Sequence, residues 1–341
     1  MPLTMRPWSV NCYALSKVWF RCGSVDLREG DISAINSTVK SWLYSDLYEK
    51  PNEVVMCRPP TYGGLGVYSV RFKAQAMLIK TFLETAANPN FRHSLLHSVM
   101  FRFHVLGDDS VPDPGYLPYY PPSFFVTIKQ VHEESDLDVA TMTTGQWVQA
   151  LTEGGLTMEA PGSKQFKLCK AEIASPTTDW SLSWKLCRLP GLGSELSTFN
   201  FKLLHGLLVT KQRQNHFKSS ISPLCPLCSK SNEDLHHALI TCEFNNGVGQ
   251  LLLSTVHSFI PTISGPALLR LELSELQEDQ ELPITLFTSS ILLAIWEKRF
   301  RKCKFDLYEI RATLEARCLL LRKTRLDKYV PILQTLLSKF Q

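Results

Sequence analysis

The chain has 341 residues, of which 44% are hydrophobic and 20% charged, and a formal net charge of +4. This length exceeds what one hydrophobic core usually serves, so two or more domains are expected, and the composition excludes a disordered chain. Ten cysteines are too scattered to read as a disulfide framework in a chain of this size, which favours a reducing compartment, the nucleus or the cytoplasm.

In chain order, a helix is expected over Tyr13–Arg21. Lys17 interrupts the apolar stretch after Arg6 and no small-residue cleavage site follows, so no signal peptide is expected. A second helix starts from Asp31 as N-cap and runs through Ile32, Ile35, Val39, Trp42, Leu43 and Leu47, which recur at helical spacing. Pro59-Pro60 stops regular structure, and Gly63-Gly64-Leu65-Gly66 leads into a helix from Val67 to about Ala86. A phosphate cradle would need a strand before the glycines and Lys-Ser/Thr after them. Neither is present, so the glycines read as a tight turn packed under the next helix. Pro112–Pro122, dense in proline and tyrosine, reads as an extended connector, with Tyr119 and Tyr120 packing over the adjoining helix in preference to stacking on bases. A helix carrying Phe124, Phe125, Ile128 and Val131 follows from Pro122, and another begins at Thr144 and ends at Gly154-Gly155. Ser175-Pro176 is the expected boundary before the next module.

That module ends in Cys225-Pro-Leu-Cys228, then His237 and Cys242. A Cys-x2-Cys turn directs two sulfurs at one ion, and a third thiolate with one imidazole completes the tetrahedral shell that zinc accepts. With protein filling all four positions, no open site remains for an activated water, so a structural role is expected. His236 is the alternative to His237, and His237 is preferred for its four-residue gap to Cys242. Beyond the cluster, the run Phe244–Leu269 raises a membrane span only to be broken by Asn245, Asn246, Gly247, Pro261 and Pro266. A buried helix with Leu251, Leu252, Leu253, Val256 and Phe259, a polar connector Leu271–Gln280, and two last helices at about Thr285–Lys304 and Leu307–Leu326 follow.

Charge is divided unevenly. Asn200–Asn232 holds five basic residues (Lys202, Lys211, Arg213, Lys218, Lys230) and no acid, and Trp296–Gln341 holds twelve basic against five acidic. Basic charge beside a metal site is the footprint of a surface that meets phosphate, so Lys202, Lys211, Arg213, Lys218, Arg299, Arg301 and Lys302 are the expected nucleic-acid contacts.

Two runs of residues resemble a known family. Ser16-Lys-Val-Trp-Phe20, Trp42-Leu43 and Arg58-Pro-Pro-x-x-Gly-Gly-Leu-Gly-Val67 look like the segment after the palm in non-LTR (LINE-type) retrotransposon reverse transcriptases. Trp180-x3-Trp184-Lys185, the run Phe199–Thr210, Arg213, and Glu233-Asp234-x-x-His237 within the cluster are similar to the zinc-binding module at the C-terminus of such polyproteins. The gap from the second cysteine to the histidine is one residue longer than in many members, and Val209 stands where a Leu-Pro-Thr run is common. The resemblance implies a thumb-and-after part of a polymerase, lacking the palm and the endonuclease. Leu106-Gly-Asp-Asp109 is the nearest approach to a palm signature. It follows a helical pattern, lies behind the glycine turn that belongs after the palm, and has too little chain upstream for fingers, so it reads as a helix end opening a loop.

The expectation is thus a mainly α protein, a helical N-terminal segment followed by a small helical module containing a CCHC zinc knuckle. Its divisions would be 1–110 thumb-like, 111–175 connector and helices, 176–262 zinc-binding module and 263–341 basic helices. It would bind RNA or DNA backbone through structural zinc and basic helices, beside the rest of a retrotransposon polyprotein, without membrane attachment and without catalysis of its own. The competing readings are a zinc-stabilised scaffold for other proteins and a relic of a truncated element.

Overall fold

The computed structural model describes residues 1–22, 27–45, 47, 50–90, 93–117, 120–134, 138–153, 180–245, 247–301 and 307–339. The protein is mainly helical, and among the described residues the only extended pairing is one antiparallel bridge, Leu224 with Asn232. A nearly continuous helical path from Leu3 leads into α1 (Leu15–Cys22), followed by α2 (Glu29–Leu43), α3 (Val70–Ala87), α4 (Ser94–His104), α5 (Pro122–Glu134) and α6 (Thr144–Glu153). The second half contains α7 (Trp180–Cys187), α8 (Ser194–Leu204), α9 (Lys211–Phe217), α10 (Val248–His257), α11 (Glu278–Arg301), α12 (Leu307–Lys323) and α13 (Val330–Lys339).

Several boundaries differ from the sequence reading for local reasons. Arg28, extended, is the N-cap of α2, which places Asp31 inside the first turn, where its charge still suits the helix dipole. α3 starts at Val70 because Gly66 holds a left-handed conformation (φ +72°), Val67–Ser69 are not helical and Ser69, its N-cap, is extended. α11 begins seven residues before the expected Thr285, taking in the end of the polar connector; Glu278, Asp279 and the following Glu281 lie in its first turn. α13 was not expected; a left-handed turn at Arg325 reverses the chain into it. Tyr119, the Gly154-Gly155 end and the Ser175-Pro176 boundary lie outside the described residues. Tyr120 is buried, edge-on to Phe82.

α11 explains how the chain packs. From Leu282 to Leu292 every residue is buried, so the helix is covered on all sides, which takes more partner faces than its immediate neighbours supply. It packs against α7, α8, α10, α12 and α13. The core around it joins residues from Leu3 to Ala74 with residues from Trp184 to Leu337. A second core runs from Ala76 to Trp147. α3 serves both, with Val70 and Ala74 in the first and Ile79 and Phe82 in the second. The two cores therefore cut across the expected divisions at 110 and 262: the first seventy-odd residues share one interior with the zinc module and the C-terminal helices. No helix among the described residues is long and apolar enough to cross a membrane.

Candidate metal centre and its supports

The loop after α9 carries the metal-ready side chains. Leu224 and Asn232 pair across it, and the Cys225 amide donates to the Ser231 carbonyl at 2.8 Å. Ser229, just after Cys228, takes the left-handed conformation (φ 57°) that turns the chain so both cysteines face inward. His237 opens a π-helical turn, and the Cys242 amide donates to the His237 carbonyl at 2.9 Å, which brings residues five apart onto one side. Asp234 fixes the start of that turn by accepting the His237 amide at 2.6 Å.

Ligand atoms of Cys225, Cys228, His237 and Cys242 all lie within 4.8 Å of one another. The Sγ atoms of Cys225 and Cys242 are 3.8 Å apart, and Cys228 Sγ is 3.3 Å from His237 Nε2. Zinc–sulfur bonds of about 2.3 Å in a tetrahedron give a sulfur–sulfur edge of about 3.8 Å, so the donor set fits that ion in type and in spacing. With Nε2 directed at the cluster, Nδ1 faces the Thr241 hydroxyl at 3.5 Å, an outer contact that orients the ring. His236 points elsewhere: its Nε2 lies over Gly265, where a Cβ would strike it.

The thiols are poised for a cation. Burial pushes Cys242 up to about 12, the Phe244 amide opposing and the neighbouring Cys225 adding to the rise. Burial also raises Cys225. At Cys228 burial is outweighed by the amides of Lys230 and Ser231, and its thiol is held below the ordinary range. Three sulfurs at this separation resist a triple negative charge, and a bound dication removes that obstacle as protons leave.

Of the seven cations expected to meet phosphate, two are interior. Arg299 forms a bidentate ion pair with Glu233, whose side chain is wholly buried, and its guanidinium lies over Trp296 at 4.5 Å. Glu233 also accepts the Lys211 amide at 2.7 Å, so one carboxylate ties the metal loop to both α9 and α11. Arg213 is buried and donates to the Gly206 carbonyl at 2.6 Å. A charge in such a place is held by its partners and is not offered to a ligand. Lys202 and Lys211 are half-buried, and Lys211 Nζ donates to Gln214. Lys218 and Arg301 are exposed; Lys302 lies outside the described residues. The run Phe199–Thr210 is helical only as far as Leu204: Gly206 turns left-handed (φ 59°) and the Leu207 amide donates back to the Lys202 carbonyl.

A second junction went unrecognised in the sequence. Gly63 (φ +79°) lies so close to Trp184 that a Cβ would overlap the indole, and a Cβ on Gly64 would overlap the Arg58 carbonyl. The bared carbonyls accept hydrogen bonds from the residues that follow α7 and α8: His205 Nε2 donates to Gly63 at 2.6 Å and Arg188 to Gly64 at 2.6 Å. Burial drives His205 down to about 4, with Arg58 and Arg188 adding to the fall against the Gly63 bond, so the ring is neutral. The Arg-Pro-Pro-x-x-Gly-Gly run and the Trp-x3-Trp run are thus two halves of one contact.

Asp108 sits on an exposed turn after α4, bonded to Ser110 and, at 2.5 Å, to Arg102. The Ser110 hydroxyl and then Arg102 hold its carboxyl below the usual range.

Residues 164–248 match the family described as zinc-binding in reverse transcriptase, a span that contains all four clustered side chains. This supports a zinc domain related to those of retrotransposon reverse transcriptases. Neither the curated proteins nor the solved structures contain a match.

Proposed function

We propose that the chain is a C-terminal part of a LINE-type retrotransposon reverse transcriptase that holds RNA or DNA near a polymerase site supplied by other parts of the polyprotein. The observation that carries this reading is the convergence of Cys225, Cys228, His237 and Cys242 inside the matched span. These four residues would hold zinc, which supplies a structural crosslink and no reacting water. With the metal loop closed and Glu233 in its ion pair, Lys202, Lys211 and Lys218 are presented from one short stretch, and Arg301 ends α11. Their work is to neutralise phosphates, a sequence-independent task. The chain holds nucleic acid and does not extend it: Asp108 is engaged by an arginine and a serine on a surface turn.

The test is fluorescence anisotropy of the zinc-loaded chain with single-stranded RNA and with duplex DNA over a range of salt. Lys211→Gln with Lys218→Gln is expected to lower the slope of log affinity against log salt by about 2, near one per phosphate contact. Absence of binding to either probe at low salt would overturn the reading, as would primer extension by the purified chain with magnesium.

A further inference from the structure

The basic charge of the C-terminal helices is not evenly available. Lys298 pairs with Glu309, Arg311 with Glu315 and Arg317 with Glu195. Past these, Arg322, Lys323, Arg325 and Lys328 follow within seven residues, all exposed, and among the described residues no carboxylate forms an ion pair with any of them. Asp327 is the one acid between them.

This turn is held firmly. α12 closes with the Leu326 amide donating to the Leu321 carbonyl at 3.0 Å and the Thr324 amide to Leu320 at 3.0 Å, the arrangement in which the intervening residue turns left-handed. That residue is Arg325, at φ 60°, where glycine would be the easier occupant. Leu326 lies against Gly191 so closely that a Cβ there would strike it. Leu321 before the turn and Val330 after it are buried. Four cations are therefore carried on a backbone pinned at both ends, and little ordering remains to be done when a ligand arrives. Lys328 covers the face of Tyr329, its Nζ 4.8 Å from the ring centroid, so the turn offers charge without an open ring for a base to stack on.

We infer that Arg322, Lys323, Arg325 and Lys328 form a second phosphate grip, one that takes the backbone of a nucleic-acid duplex. The inference rests on the nucleic-acid reading above and adds to Lys202, Lys211, Lys218 and Arg301 a separate set of contacts at the α12–α13 turn. Cations without a stacking platform read the regular phosphate spacing of a duplex better than the splayed bases of a single strand.

The experiment uses the full zinc-loaded chain and three probes of matched charge: a DNA duplex, a single-stranded RNA and polyglutamate. Replacing Arg322, Lys323 and Lys328 with Gln and Arg325 with Gly is expected to weaken duplex binding at least about 30-fold at 0.1 M salt and to lower the salt slope by about 3 to 4. Arg325→Gly alone is expected to lower the slope by about 1 with an unchanged or higher Tm, because glycine suits the left-handed position; that separates lost contact from lost folding. A wild-type chain that binds duplex while the quadruple variant matches it in affinity and slope overturns this grip and leaves the functional reading standing. A wild-type chain that binds no nucleic acid at low salt overturns both. Tighter binding of RNA or of polyglutamate through the same four residues overturns the duplex assignment, the latter in favour of an acidic protein.

Discussion

The zinc-domain half of the chain is held at two places of opposite character. At the metal centre, Cys225 and Cys242 are 17 residues apart, and the holding groups are ionisable side chains, Cys225 and Cys242 buried and Cys228 and His237 half-buried. At the glycine junction, Arg188 and His205 reach carbonyls 124 and 142 residues away, and the holding groups are backbone oxygens bared by missing side chains. The first closes a local loop; the second closes the large core. A metal-ready cluster thus organises its own loop, whereas the body around it stands on contacts that owe nothing to metal.

Removing the metal is the sharpest way to separate the two. Binding free energies of structural zinc sites reach about 10 kcal/mol, so chelation, or Cys225→Ser with Cys242→Ser, is expected to give the largest effect of all. Hydrogen exchange should show residues 219–245 losing protection while α7, α8 and α11 keep theirs. Simultaneous loss in α11 would erase the distinction between a local and a global tie. Next is Glu233→Gln, which leaves the Arg299 guanidinium without its counter-charge in a buried site and is expected to cost about 3–5 kcal/mol in denaturant unfolding, with zinc content retained. Stability within about 1 kcal/mol of wild type would mean that Arg299 finds water, and that the loop is tied by metal alone.

Gly64→Ala drives a methyl into the Arg58 carbonyl and is expected to cost about 3 kcal/mol, again without zinc loss. Zinc release by this variant would show that the junction and the metal centre are coupled. His205 gives the junction a pH dependence. Its folded pKa of about 4 lies below the ordinary 6.5, so between those values the unfolded chain takes up a proton that the folded chain refuses. Stability therefore falls as pH drops through this window, by at most about 3 kcal/mol, and levels off below it. His205→Gln, which can still donate to Gly63, is expected to flatten that slope in chelated protein, where acid cannot act through the metal ligands; an unaltered slope would remove His205 from the account. The smallest effect belongs to the surface pair Lys230–Glu243 across the metal loop: Lys230→Ala is expected to leave the Tm unchanged.

How much was legible follows from the same contrast. The CCHC set is legible in the sequence because metal chemistry demands particular side chains at short spacing, and the structure brings those four together, with His237 inward and His236 turned to Gly265. Most helices were legible too, since α5 and α10 carry their apolar residues at helical intervals. Gly63 and Gly64 were read as a tight turn packed under the next helix, whereas Gly63 closes on Trp184, more than a hundred residues away, because a carbonyl acceptor leaves no mark in the sequence. Arg299 and Arg213 were misplaced for a related reason. A cation seen alone looks like a surface charge, and only the arrival of Glu233 from another segment, or of the Gly206 carbonyl, shows it to be interior.

By itself, then, the amino-acid order determined the helical class and the donor set for one metal ion, both of which depend on residues within a few turns of one another. Tertiary structure alone decided that residues 3–74 complete the core around α11, that one buried carboxylate fastens the metal loop, and which cations remain at the surface. Those outcomes depend on burial, and burial is a property of what distant segments bring to a side chain.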